Sequence, residues 1–331
     1  MKAWYAKKTW LFFLVPIAWF FSAISSLRRR YLQARYQGSS FDAPVIVIGN
    51  ISVGGSGKTP LIIALVRILR QKGYSVGVVS RGYGGKSTRY PVIVSKNTPV
   101  AKSGDEPLLI AKSCGCPVVV DPNRRNAVLT LIERFSCDVI LSDDGLQHYG
   151  MHRDVEVAVI DMTRGLGNRL TLPAGPLREP LERLSEVDLV VHNGAEEISA
   201  GLGMAGKSSF VKLKPFGLRK FGTDELIDVA HWVESMSVHA VAGIGHPERF
   251  AVTLKEMGFQ PALHAKNDHE ALSIADITFN DHCPIIITEK DAVKYNDIVP
   301  HNLWVLEVRM LLSDDFVSNL LKCAGLPVTN L

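Results

Sequence analysis

Apolar and polar positions alternate along this chain in a repeated order. A short apolar run meets a turn rich in glycine or proline, and a longer segment with helical spacing follows. The pattern predicts strands over 45–48, 75–80, 92–95, 117–120, 138–141, 155–160 and 187–191. Helices fall between them over 61–69, 107–113 and 123–135. The strand runs are nearly continuous and β-branched rather than alternating, as expected for strands buried on both faces of a parallel sheet flanked by helices. From 208 to 233 the texture changes to an extended ribbon carrying Lys212, Lys214, Arg219 and Lys220. The alternation then restarts, with strands over 239–242, 285–288 and 304–308 and helices over 247–257, 268–275 and 311–321. The expected architecture is therefore α/β. It is a mostly parallel sheet in a 37–207 domain, a ribbon linker over 208–235 and a smaller α/β domain over 236–331.

Residues 10–27 read WLFFLVPIAWFFSAISSL and carry no charge. Lys2, Lys7 and Lys8 precede them, and Arg28, Arg29, Arg30 and Arg35 follow. As a helix this run spans about 27 Å, against roughly 30 Å of hydrocarbon. Two membrane arrangements fit residues 1–36. A spanning helix would keep the arginines inside. An in-plane helix would bury Trp10, Phe12, Phe13, Trp19, Phe20 and Phe21 at the interface with its cations on headgroups. Both place the chain at the cytoplasmic face of a membrane.

The 331 residues are 47% apolar and 21% charged, enough for a sizeable core, with a net charge of +4. That charge is too mild to imply nucleic acid. Cys114, Cys116, Cys137, Cys283 and Cys323 have no disulfide-framework spacing, which fits a reducing compartment and buried thiols.

The most informative stretch joins the first strand to the first helix: Ser52, Val53, Gly54, Gly55, Ser56, Gly57, Lys58 and Thr59. Strand, glycine loop and helix together make a phosphate cradle. Glycines let backbone N–H groups converge on phosphate oxygens, and the helix N-terminus adds partial positive charge. Lys58 would reach the β- and γ-phosphates, and Thr59 would offer its hydroxyl to Mg²⁺. Ser52 stands where the general pattern has glycine.

Other chemistry sits at strand ends. Asp143 and Asp144 close the 138–141 strand, where a phosphate-loop protein needs a carboxylate for Mg²⁺. Asp105 opens a helix, either as a simple cap or as a functional carboxylate. Asp268 and His269 would form a general base if an imidazole and a carboxylate met across a cleft. Arg81, Arg124, Arg125 and Arg178 lie in loops, where arginine suits bidentate phosphate binding.

Taken in order, these segments resemble the tetraacyldisaccharide 4′-kinase family of Gram-negative bacteria over nearly the whole chain. The likeness rests on Gly49–Thr59, on Ser80-Arg81-Gly82-Tyr83-Gly84 and on Gly104-Asp105-Glu106-Pro107. It continues through Asp143-Asp144-Gly145-Leu146-Gln147-His148, Gly175-Pro176-Leu177-Arg178-Glu179-Pro180, Gly243-Ile244-Gly245, Asp268-His269 and Thr288-Glu289-Lys290-Asp291-Ala292-Val293-Lys294. The resemblance implies ATP and Mg²⁺, and transfer of the γ-phosphate to the 4′-hydroxyl of a tetraacylated glucosamine disaccharide 1-phosphate. It also implies a membrane helix and two domains closing on the nucleotide. By the same resemblance Asp105 acts as base with His269, while Asp143, Asp144 and Arg178 serve metal and phosphate. Glu270 stands where the family often has a second histidine. A membrane-associated GTPase or ATPase switch is the rival reading. Such switches read guanine with an Asn/Thr-Lys-x-Asp motif, and Thr288-Glu289-Lys290-Asp291 has its lysine one place late.

Overall fold

The computed structural model describes residues 2–6, 8–36, 40–194, 207–268, 270, 272–295 and 300–328. Among them thirteen strands form one sheet. In chain order they are β1 (Val45–Gly49), β2 (Val76–Ser80), β3 (Val92–Val94), β4 (Val118–Val120), β5 (Val139–Asp143), β6 (Val155–Asp161) and β7 (Leu189–Asn193). Then come β8 (Ser208–Lys220), β9 (Leu226–Ile227), β10 (Ser237–Ala242), β11 (Gln260–Ala265), β12 (Ile285–Thr288) and β13 (Leu303–Leu311). Across the sheet the order is β11-β10-β12-β13-β8-β7-β6-β1-β5-β2-β4-β3, with β9 paired to β8.

Pairing is parallel except at β3–β4, β8–β13 and β8–β9. β1 lies between β5 and β6, parallel to both. This sets the loops that follow β1, β5 and β6 at one edge, where ligands of open α/β sheets sit. The ribbon expected over 208–235 is mainly β8, which joins the two halves of the sheet. Its start pairs with β7 through Val190↔Ser208 to Asn193↔Val211, and its remainder pairs with β13 from Lys212↔Leu311 to Lys220↔Trp304.

Alternation along each strand divides the core between the two faces. On one face Ile46 and Ile48 pack with Leu61, Leu65 and Leu69 of the Lys58–Gln71 helix. The final helix, Asp314–Cys323, adds Phe316, Leu320 and Leu321 to that same cluster. On the other face Val45, Val47 and Ile140 meet Val128 and Leu131 of the Arg124–Phe135 helix.

Three expectations change in the second half. The helix expected over 268–275 is a short 3-10 turn, Ile274–Ile277, held by a reciprocal Ser273–Asp276 capping box. Strand β11 was missed because Gln260-Pro261-Ala262-Leu263-His264-Ala265 is half-polar. It is an edge strand, with a partner only at β10 among the described residues, so it needs no continuous apolar run. The last helix starts at Asp314, after its cap Ser313, because Leu311 still belongs to β13.

At the N-terminus a 3-10 segment, Thr9–Leu14, runs into the helix Val15–Tyr36. Together they are long and apolar enough to cross a membrane. One side rests on the protein. Ala18 and Leu11 are buried, Thr171 Oγ1 donates to the Ala18 carbonyl at 3.2 Å, and Arg29 Nη2 reaches Glu186 Oε1 at 3.1 Å. The other side leaves Phe13 86%, Trp19 70% and Phe20 69% exposed.

A buried ionic knot supports the 176–186 segment that carries Arg178. Arg183, 1% exposed, donates from Nη2 to both Glu156 oxygens at 2.6 Å and from Nε to Tyr149 Oη at 3.3 Å. Tyr149 in turn donates to Glu179. Removing Arg183 would leave the buried Glu156 with only Arg153 Nη1, 2.9 Å from its Oε1, as countercharge. Arg183→Ala is expected to cost about 1.5–3 kcal/mol of stability, read as a lowered urea midpoint in tryptophan fluorescence. A midpoint shift corresponding to less than about 1 kcal/mol would mean that Glu156 is not held by this pair.

A candidate phosphate-transfer site at the carboxyl ends of the strands

The turn after β1 wraps into a loop whose backbone is fixed from outside. Gly54 and Gly57 take φ of 106° and 93°, the left-handed region that glycine enters without strain. A Cβ on Gly57 would stand 2.4 Å from Asn193 Nδ2. That same amide donates to the Ser56 carbonyl at 3.1 Å. Asn50 Nδ2 donates to the Gly54 carbonyl at 3.1 Å, and the Val53 N–H donates to Pro176 O at 2.9 Å. Ser52 forms a bridge with Leu177. The loop is thus organised by neighbours that leave its inner side open, and Val53, Gly54, Gly55, Ser56, Gly57, Lys58 and Thr59 all line the cleft. Lys58 is the first helical residue, so the helix N-terminus points into the same space.

The two aspartates after β5 have different surroundings. Asp143 is 2% exposed, with Oδ2 accepting from Ser80 Oγ at 3.1 Å and its carbonyl accepting from Arg124 Nη2 at 2.9 Å. Its Oδ1 is buried with no hydrogen-bond partner among the described residues. Burial, then Glu106 and Asp144, push its pKa up to about 7 against the pull of Lys58 and Arg124. Asp144 takes φ of 45° and turns toward the cleft. Lys58 Nζ lies 3.4 Å from its Oδ1, and Arg178 Nη1 lies 3.1 Å from its Oδ2. Burial works to raise the Asp144 pKa, but Lys58 and Arg178 outweigh it and hold the carboxyl below its usual range. A buried carboxylate oxygen without a partner, next to a phosphate loop, suits a hard divalent cation. Asp143, Asp144 and Thr59 are the residues that would hold Mg²⁺.

Asp105 is the first residue of the helix Asp105–Cys114 rather than its cap, which is Gly104. It is 5% exposed, and its Oδ1 accepts from the Glu106 N–H at 3.0 Å. Its neighbour Glu106 lines the cleft. Lys290, from the turn after β12, reaches across to this helix. Its Nζ lies 3.2 Å from Glu106 Oε1, 3.8 Å from Asp105 Oδ2 and 3.3 Å from Asp268 Oδ1. Burial lowers the Lys290 pKa, but Glu106, Asp105 and Asp268 together drive it upward. The structure therefore brings Asp105 and Asp268 to one ammonium. His269 lies outside the described residues.

The cleft has a volume of about 1610 Å³ and takes its walls from both halves of the sheet. Phe21, Ser25 and Arg28 of the N-terminal helix line it as well. Near them His148 is held neutral, its pKa lowered to about 4 by burial and by Arg124, Arg153, Arg28 and Arg81. That concentration of cations favours an anionic ligand group.

The rival guanine reader is used up in the fold. Asp291 is fully buried and accepts from the Gly243 N–H at 3.1 Å, Thr288 Oγ1 at 2.7 Å and Lys294 Nζ at 2.8 Å.

Comparison with known proteins agrees with this geometry. Residues 10–324 match the family model described as LpxK, tetraacyldisaccharide-1-P 4′-kinase. The chain belongs to the tetraacyldisaccharide-1-P 4′-kinase family. Similar relatives include the tetraacyldisaccharide 4′-kinase of Hahella chejuensis, 44% identical over 95% of this chain and 93% of that protein. That of Pseudomonas fluorescens is 44% identical over 96% and 93%. A crystal structure of the "apo" form of LpxK from Aquifex aeolicus in complex with ATP superposes with a TM-score of 0.78 at 27% identity, covering 95% of this chain and 99% of that one.

Within this family frame the structure adds residues that sequence reasoning left without a role. Asn193 sits at the end of β7 and braces the phosphate loop, and nothing in its local sequence signals that. Gln147 Nε2 bonds the Asn50 carbonyl and Glu179, while its Oε1 lies 3.3 Å from Arg178 Nη1. Lys290 was visible within a shared motif, but its reach to Asp105 depends on how the two halves meet. Arg124, one of the loop arginines, is 2% exposed and donates to the Asp143 carbonyl at the cleft wall.

Proposed function

We propose that this protein transfers the γ-phosphate of ATP to the 4′-hydroxyl of a tetraacyldisaccharide 1-phosphate, giving the 1,4′-bisphosphate, at the cytoplasmic face of the bacterial inner membrane. The observation that carries the reading is one continuous cleft lined by both the phosphate loop and the apolar N-terminal helix. A kinase for a water-soluble acceptor has no need of that second wall.

The loop from Ser52 to Thr59 receives the triphosphate. Lys58 exchanges Asp144 for phosphate oxygens, which are stronger acceptors when fully charged. Bound Mg²⁺ supplies charge neutralisation on the phosphates. Arg178, already aimed through Asp144 and Gln147, faces the charge that develops on the transferred group. Asp105, assisted by His269, takes the proton of the 4′-hydroxyl. Lys290 holds Asp105 and Asp268 in register across the cleft. Catalysis then rests mainly on positioning and charge, as in phosphoryl transfer generally. Domain closure is proposed between 37–207 and 236–313, with 208–235 as the joint. The final helix Asp314–Cys323 travels with the first half, where its apolar face is buried.

The direct test is transfer of label from γ-³²P-ATP to a tetraacyldisaccharide 1-phosphate in detergent micelles. Label at the 4′ position is expected, and Lys58→Ala should abolish it. Phosphate release to water regardless of lipid would point to a nucleotide switch instead. Asp105→Ala should lower kcat by about 10²-fold or more with little change in KM for ATP. Lys290→Met should lower kcat too, with Lys290→Arg restoring part of it. If Lys290 acts through Asp105, the double variant will be no slower than Asp105→Ala alone. Independent, multiplying losses would assign Lys290 elsewhere. For the membrane, chain lacking residues 1–36 should fail to float with phospholipid vesicles that carry the full chain. Equal flotation would move the docking surface off the helix.

A further inference from the structure

At the far edge of the sheet, away from the cleft, four side chains of metal-binding type converge. His239 lies on β10 and His264 on the neighbouring β11, where His264 pairs with Val241. The period of two along strands puts His239, Val241 and His264 on one face. His239 Nδ1 lies 3.0 Å from His264 Nε2. Its Nε2 lies 3.0 Å from both oxygens of Asp281. The Phe279 ring stacks on the His239 ring with centroids 3.7 Å apart and planes 6° apart, fixing its tilt. Cys283 completes the group. Ligand atoms of His239, Asp281 and Cys283 all lie within 4.8 Å of one another. None of the four residues lines the cleft.

We propose that His239 Nε2, the Asp281 carboxylate and Cys283 Sγ bind a divalent transition ion of the zinc or cobalt class, with water in the fourth position. A nitrogen, oxygen and sulfur donor set suits such ions, whereas Mg²⁺ and Ca²⁺ prefer oxygen alone. Tetrahedral bonds of about 2.0–2.3 Å set ligand atoms roughly 3.4 Å from one another, so the His239–Asp281 pair, now at 3.0 Å, must open slightly. Asp281, with a side chain 53% exposed, has the freedom to do so. Binding on Nε2 requires the proton on Nδ1, and His264 is placed to accept it. This is the outer-shell contact that ligating histidines almost always have. The Cys283 thiol loses its proton to solvent as the ion binds.

The site has a structural consequence. β10 runs on toward Gly245 and His246 of the cleft wall, and β11 runs on toward Asp268. The ion would tie β10 to the 281–283 segment that leads into β12, and would reach β11 only through the His239–His264 contact. Without an ion, the same atoms make a hydrogen-bonded Asp281–His239–His264 chain, with the Cys283 thiol on the Asp281 carboxylate.

Cobalt titration separates the two. Full-length protein, stripped with chelator and kept in excess Mg²⁺ to occupy the carboxylates of the cleft, is titrated with Co²⁺. Stoichiometric binding is expected, with visible ligand-field bands and a near-ultraviolet thiolate-to-cobalt charge-transfer band. Cys283→Ser should lose the charge-transfer band, His239→Gln should lose both features, and His264→Ala should bind about 10–100-fold more weakly. Circular dichroism checks that each variant is folded. Absence of a charge-transfer band in the native chain would overturn the proposal. So would its persistence in Cys283→Ser, which would place the ion on other cysteines such as Cys114 and Cys116.

Discussion

Parallel pairing of β1 on both sides is the constraint from which the rest of this structure follows. With β5 on one side and β6 on the other, the phosphate loop, Asp143, Asp144 and Asp161 emerge together at one edge. β7 adds Asn193 to that edge through the same parallel sense. A β1 that was antiparallel to either neighbour would send one of these groups to the opposite end of the sheet.

The charges around this edge are balanced in pairs, and the pairs differ in purpose. Lys58 and Arg178 share Asp144, which lies open to the cleft, so both cations can exchange that carboxylate for phosphate at little cost. Asp143 is closed in, and its unpartnered oxygen leaves room for a cation. Lys290 gathers three carboxylates from the two halves of the sheet. Without it, Asp105, Glu106 and Asp268 would repel one another where the halves approach. Arg183 performs the equivalent service below the Arg178 segment, in a setting dry enough that its loss costs stability rather than rate.

The N-terminal helix supplies part of the cleft wall through Phe21, Ser25 and Arg28. Ala18, Ser22, Ser25 and Phe21 turn toward the protein and the cleft, while Phe13, Trp19 and Phe20 turn away. A helix held along the body through Ala18, Ser22 and Arg29 lies beside the globular part over its middle, not only at its end.

Local pattern alone determined a good deal. Continuous apolar runs revealed β1, β2, β5, β6 and β7, because strands buried on both faces cannot alternate. The phosphate loop was legible because its glycines, lysine and threonine act through backbone geometry that neighbouring residues impose. Edge strand β11 and the short turn Ile274–Ile277 were not legible, since half-exposed segments carry a weak periodic signal and a capping box fixes their ends. Residue type marked Asp105, Asp143, Asp144 and Arg178 as candidates. Only the tertiary structure decided their surroundings: which aspartate is buried, that Asn193 braces the loop, and that Lys290 meets Asp105 from 185 positions away. Propensity and motif are properties of a few consecutive residues, whereas burial, countercharge and contact across a sheet exist only once distant segments pack together.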